Sequence, residues 1–128
     1  MTQEEKDLLL RDLCARLPYG VKFQLTDDDG IVYNTTLTGI DLDTGIFYGA
    51  DIDCSFGRCH IENIRPYLRP MSSMTEEEKQ VLELCDAFVG PRSIELKVDF
   101  YNKQHLDYRG LIEKGLALEV TKENKIEL

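Results

Sequence analysis

The stretch "VKFQLTDDDGIVYNTTLTGIDLDTGIFYGA", residues 21–50, switches the chain to the two-residue period of a β-strand. Val21, Phe23 and Leu25 alternate with polar residues, as one half-buried strand requires. "TDDDG" at 26–30 predicts a turn, because aspartates bond their own backbone and glycine supplies a positive φ. "IVYNTTLTGIDL" is β-branched and aromatic, "DTG" at 43–45 predicts a second tight turn, and "IFYGA" a short strand. "FGRCHIE" reads as one more strand. Four or five short strands thus fall within residues 20–62, joined by hairpin-length loops. A sheet that small must curl to cover its own core, so the expected solution is a closed, SH3-like β-barrel.

Helices are expected on both sides. Thr2 to Glu5 form a capping box, and Leu9, Leu10, Leu13, Cys14 and Leu17 fall on one side of a helix at about 3–16, stopped by Pro18 and Gly20. Beyond the sheet, Pro66 and Pro70 argue against a regular ladder, and Asn63 to Leu68 fit a single 3₁₀ turn. Thr75 to Glu78 form a second capping box, followed by an apolar face of Val81, Leu82, Cys85 and Phe88 up to Gly90-Pro91. Residues 93–101 fit two patterns. Ile94, Leu96, Val98 and Phe100 alternate as in a strand, whereas Val98, Tyr101 and His105 have helical spacing. Asp107 is placed to cap a short helix over 108–114 ended by Gly115, and "LALEV" at 116–120 reads as a final strand. The fold class is therefore α+β. An N-terminal helix and small barrel (1–74) carry a helical C-terminal lobe (75–128), packed into one compact unit.

At 128 residues and 42% hydrophobic the chain has the size and apolar content of one domain with a real core. No apolar run approaches the roughly 18–20 residues that cross a bilayer. "MTQEEKDLLLRDL" lacks the basic start and apolar stretch of a signal peptide, so a cytoplasmic protein with no membrane partner is expected. The four cysteines, at 14, 54, 59 and 85, are expected to stay reduced, with Cys14 and Cys85 packed as small hydrophobes in helices. The net charge is −9, and residues 17–53 and 75–91 hold most of it, at −6 and −4, around a basic island of +2 at 54–74. Such a field disfavours general phosphate-backbone binding.

Candidate chemistries mostly fail on spacing. Cys54, Cys59 and His60 do not make a zinc knuckle: the spacing is C-x₄-C, no second pair follows, and neighbours on a strand point to opposite faces. A cysteine nucleophile has only His60 and His105 as possible bases, and no nucleophile turn accompanies them. "DLDTGIFYGADI" at 41–52 opens like a calcium loop but has Ile52 where the bidentate glutamate belongs. Neither a P-loop nor a dinucleotide fingerprint is present. No catalytic residue, metal or cofactor is therefore assigned, and the protein is read as non-enzymatic.

"RPYLRPMSSMTEEE" (65–78) and "DYRGLIEKGLALEV" (107–120) resemble small uncharacterised proteins encoded in gut Bacteroidales genomes, often in phage, prophage or other mobile regions. The resemblance covers most of the chain and is loosest across the strands and residues 90–106. It implies a helix over about 95–105 and transfers no site residue. It also implies a phage-related accessory protein, whose expected partner is a host or phage protein. The candidate binding residues are Arg58, Arg65, Tyr67, Arg69, Tyr108 and Arg109, because mixed arginine and tyrosine is common interface chemistry. The competing reading is intramolecular, with Tyr67 and Tyr108 joining the two lobes. Two further alternatives are an acidic decoy for a nucleic-acid-binding protein, and a barrel that binds nucleic acid through its arginines and His60.

Overall fold

A computed structural model of the protein describes residues 1–51 and 60–121. It contains α1 (Gln3–Arg16), β1 (Lys22–Thr26), β2 (Val32–Asp41), β3 (Ile46–Gly49), β4 (Ile64–Leu68), α2 (Glu76–Cys85), α3 (Pro91–Lys103) and β5 (Leu118–Glu119). Both expected capping boxes form: Thr2 and Thr75 accept from the third helical N–H, and Glu5 and Glu78 reach back to the cap backbone. The two predicted hairpin turns also form. Asp27 accepts from the backbone N–H groups of Asp29 and Ile31, and Asp41 from those of Asp43 and Thr44. Gly30 and Gly45 take the positive φ values, +80° and +71°, that such turns need.

The five strands form one sheet in the order β3-β2-β1-β4-β5. The first three pairings are antiparallel, and β4–β5 is parallel, with Tyr67 opposite Leu118. The class is α+β as expected, but the SH3-like barrel is not: the sheet is open. The reason lies at β4. It takes β1 on one side and the parallel β5 on the other, so the sheet extends past β4 instead of ending there. Beyond β3 the described residues add one antiparallel bridge, Ile46 to His60. Most of the strand expected at 56–62 lies outside the described residues, and Ile61–Asn63 is a 3₁₀ turn.

Residues 63–68, expected as a 3₁₀ turn, are mostly strand. Pro66 pairs with Phe23 before the parallel ladder begins at Tyr67, where its missing N–H leaves β5 no acceptor unfilled. A register shift between Leu37 and Gly39 leaves Thr38 as a bulge, which bends β2 so that Leu37 and Phe47 both reach the core. One hydrophobic cluster gathers Leu9 and Leu13 of α1, Phe23 and Leu25 of β1, Leu37, Phe47, Ile64 and Leu68, and it also takes in Leu111 and Leu116.

Residues 91–103 are helix, which resolves the double pattern at 93–101 in favour of the helical period. Gly90-Pro91 starts that helix, since proline is preorganised for its first turn. Residues 108–115 are turns and not the expected short helix, because Gly110 sits at φ +75°. Asp107 nonetheless makes the cap contacts, accepting from the N–H groups of Leu111 at 2.8 Å and Ile112 at 3.0 Å. Cys85 is buried as expected, but Cys14 is exposed, because the buried face of α1 is turned towards Leu9, Asp12, Leu13 and Arg16. No helix among the described residues is long and apolar enough to cross a membrane.

Candidate functional site

Two regions stand out: a buried polar knot beneath the residues singled out from sequence, and an exposed apolar face on α2.

The knot begins with Asp12 and Arg16, one turn apart on α1 and both without solvent exposure. Arg16 Nε donates to Asp12 Oδ2 at 2.9 Å, and its Nη2 donates to the Leu106 carbonyl at 2.6 Å. The second Asp12 oxygen accepts from Arg109 Nη1 at 2.9 Å. One carboxylate is thus shared by two guanidiniums, and the desolvated charges are compensated. The Tyr108 ring lies within cation–π reach of both, 5.6 Å from Arg16 and 4.6 Å from Arg109, and it stacks on Tyr101 at 5.3 Å. Its hydroxyl donates to Asn102 Oδ1 at 3.0 Å.

Residues 105–107 tie this knot to the sheet. The Arg69 N–H donates to the His105 carbonyl, and the Asp107 N–H donates to the Arg69 carbonyl, both at 2.8 Å. His105 itself is buried, at φ +57°, and its Nδ1 has no hydrogen-bond partner. Burial, reinforced by the nearby Arg16 charge, pulls its pKa down to about 4. Its spacing with Val98 and Tyr101 implies an exposed or half-buried helical residue; His105 is instead buried, beyond the end of α3. The chain has already left α3 there, and left-handed backbone at this position turns the imidazole inward.

Every described binding candidate is engaged within the chain. Tyr67 is buried; its hydroxyl donates to Asn34 Oδ1 at 2.6 Å and accepts from Gln24 Nε2 at 3.3 Å. It therefore ties strands of the sheet together, whereas Tyr108 joins α1 to α3. Arg69 forms a bidentate pair with Glu78, at 2.9 and 2.7 Å, which anchors α2 to the end of β4. That pairing holds the Glu78 carboxyl down at about 2. Arg65 donates to the carbonyls of Gly115, Glu62 and Ile64. Arg109 belongs to the knot. Arg58, Cys54 and Cys59 lie outside the described residues, and His60 is exposed. No group of three histidine, cysteine, aspartate or glutamate side chains among the described residues is placed to hold a metal ion. A groove of about 460 Å³ opens between residues 70–72 and 107–113. Asp107 and Tyr108 in its wall are already committed to the bonds above.

The α2 face is the opposite case. Of this helix only Cys85 is buried. Val81, Leu84 and Phe88 are 40, 69 and 44% exposed, and Val89 just beyond is 93% exposed. Val81 and Leu84 form a short apolar line on α2, and Phe88 lies in the turn beyond its end, with the Arg92 guanidinium 5.2 Å from its ring. Sequence reasoning assigned part of this line to the core. The apolar pattern was visible, but two apolar stripes compete on α2, and the Arg69–Glu78 pair fixes the other one, with Leu82 and Cys85, towards the body.

Comparison with family models, curated proteins and solved structures returns no match to this chain.

Proposed function

We propose that the protein is a non-enzymatic accessory protein that acts by binding another protein, with the outer face of α2 as its contact surface. The observation that carries this reading is the exposed pair Val81 and Leu84 on a helix whose packing needs are already met by Arg69–Glu78 and Cys85, with exposed Phe88 and Val89 just beyond its end. Large apolar side chains aligned on one helix face are more often a meeting surface than scattered apolar residues are. Arg65, Tyr67, Arg69, Tyr108 and Arg109 have their polar groups committed internally, so α2 is the better surface. The arginine island offers little to nucleic acid for the same reason, since Arg65 and Arg69 already serve carbonyls and Glu78. The resemblance to proteins of mobile regions supports seeking the partner in a phage or host process.

Affinity capture from a Bacteroidales lysate tests this, with wild-type protein and Leu84→Asp compared with and without nuclease. A protein retained by the wild type after nuclease treatment and lost with the folded variant is the expected result. Capture that disappears with nuclease, or that Leu84→Asp leaves unchanged, overturns it.

A further inference from the structure

We propose that the groove between residues 70–72 and 107–113 is a binding site for a primary ammonium on a short apolar chain, either a free alkylamine or a lysine side chain. None of its walls belongs to α2, so the site is independent of the α2 contact surface. The groove holds about 460 Å³, within the range of roughly 300–1,000 Å³ over which small-molecule sites fall. Its apolar wall is built from Pro70 and Met71 on one side and the Tyr108 ring and Ile112 on the other, all of them half-buried. The second side is held in place by bonds and packing of its own. Ile112 packs against the core, and Tyr108 is stacked on Tyr101 and bonded to Asn102. That wall is formed before any ligand arrives, so little ordering cost falls on binding.

Charge selects the ligand. Asp107 and Glu113 line the groove, and among the described residues no lysine, arginine or histidine does. Asp107 is only 8% exposed, and a carboxylate this buried calls for a counter-charge. It has hydrogen bonds but no cation. Its two oxygens each accept one backbone N–H, from Leu111 and Ile112, which leaves a lone pair on each. Glu113 is exposed, and among the described residues neither acid has an ion-pair partner. The arginines of the neighbouring elements are committed elsewhere, Arg16 and Arg109 to Asp12 and Arg69 to Glu78. Lys114, next in sequence to Glu113, is exposed and forms no part of the wall. The groove thus joins two negative charges to an apolar surface, the complement of an amine on an aliphatic stem. An anion would meet both carboxylates, and a neutral ligand would leave Asp107 without its counter-charge. An ammonium also fits better than a guanidinium. A compact ammonium needs only one lone pair on each acid it meets. The planar guanidinium fork seeks both oxygens of one carboxylate side by side, and those of Asp107 already hold two N–H groups.

The test titrates the full chain with pentylammonium, with pentanol and with an acetyl-lysine methylamide probe, followed through backbone amide shifts by NMR. Wild type is compared with two variants. Glu113→Gln removes the exposed charge, and Asp107→Asn keeps one side-chain acceptor for the Leu111 or Ile112 N–H. Pentylammonium is expected to shift the Met71 and Ile112 amides saturably and to weaken at high salt. It is expected to bind about tenfold more tightly than pentanol, the equivalent of one charge-assisted hydrogen bond. Asp107→Asn is expected to remove about that tenfold, and Glu113→Gln about threefold, as suits an exposed charge. The lysine probe separates the two sources. Tighter binding than pentylammonium assigns the site to a lysine of another protein, weaker binding assigns it to a free amine, and either supports the proposal. Pentanol binding as tightly as pentylammonium overturns it and leaves an apolar cleft. Affinity for pentylammonium that both substitutions leave unchanged also overturns it, as does the absence of a saturable shift at Met71 and Ile112. If far-UV circular dichroism shows that Asp107→Asn does not fold, Glu113→Gln and the pentanol comparison decide the matter alone. None of these outcomes bears on Leu84, so failure here leaves the α2 surface standing.

Discussion

Replacing Arg16 by methionine is the most informative single perturbation of the fold. The side chain is fully buried and has three partners: Asp12 on α1, and the carbonyls of Tyr101 on α3 and Leu106 just after it. Methionine keeps most of the volume, so the loss is electrostatic and not a cavity. It leaves the Asp12 carboxylate with Arg109 alone and strips the Leu106 carbonyl of its donor. Breaking a buried pair from one side costs about 3–5 kcal/mol, against a total stability on the order of 5–15 kcal/mol for a domain. With a urea m-value of about 1–3 kcal/mol/M, the unfolding midpoint moves down by at least about 1 M. Asp12→Leu/Arg16→Met together removes both charges from the interior. Arg109, with 23% of its side chain exposed, can then turn to water. The double variant is expected to recover to within about 2 kcal/mol of wild type, and the cycle to show a coupling of about 2 kcal/mol or more. The measurement is urea unfolding followed by far-UV circular dichroism. An Arg16→Met cost below about 1 kcal/mol, or simple additivity in the double variant, refutes the view that this pair organises the meeting of α1 and α3.

Acid titration separates two other sites. His105 has a folded pKa of about 4 against an ordinary 6.5, so the folded state resists its protonation. Its share of stability is complete above pH 6.5 and falls away towards pH 4, by up to about 3 kcal/mol; His105→Asn, which tolerates left-handed backbone, is expected to flatten thermal stability across that window. Glu78 is depressed from 4.5 to about 2, so its share is complete above pH 4.5 and lost as pH falls towards 2. Glu78→Gln should remove about 2–3 kcal/mol at neutral pH and little at pH 2, and a loss independent of pH in urea unfolding would count against the ion pair as its cause. Gly49→Ala brings a Cβ into Thr35 Cγ2 across the β2–β3 ladder and is expected to cost about 1–3 kcal/mol in the same assay. An unchanged midpoint there would mean that the hairpin is not closely packed.

Much of the secondary structure is legible because it rests on local chemistry. The two capping boxes, the aspartate–glycine turns and the alternation of Val21, Phe23 and Leu25 are each set by residues within a few positions of one another. Sheet closure is not local. The position of β5 beside β4 depends on a crossover of about fifty residues, and nothing in "LALEV" says which edge it joins or in which direction. The orientation of α1 was misread because Leu9, Leu10, Leu13, Cys14 and Leu17 outline an apolar stripe, while the buried one is Leu9, Asp12, Leu13 and Arg16. The available signal was an oppositely charged pair four residues apart in the same three-and-four spacing as Leu9 and Leu13, ordinarily the mark of a solvated salt bridge. Its burial is decided by Arg109, ninety-seven residues away from Asp12.

The same distant contacts draw on two stretches of the chain, 65–78 and 107–120. In 65–78, Arg69 holds α2 through Glu78 and holds residues 105–107 through its backbone. In 107–120, Asp107 orders the turns that follow it, while Tyr108 and Arg109 complete the knot on α1. Their arginines and tyrosines suggest a binding surface when read along the chain, because interfaces and buried polar knots draw on the same residue types. Structure separates the two uses by asking whether each donor already has an acceptor. Arg65, Tyr67, Arg69, Tyr108 and Arg109 do, and substituting any of them would confound lost binding with lost folding. Leu84 touches little of the body, so a charge placed there leaves the fold intact while blocking the face. That asymmetry makes α2, and not the arginine-tyrosine segments, the place where function can be tested without unfolding the protein.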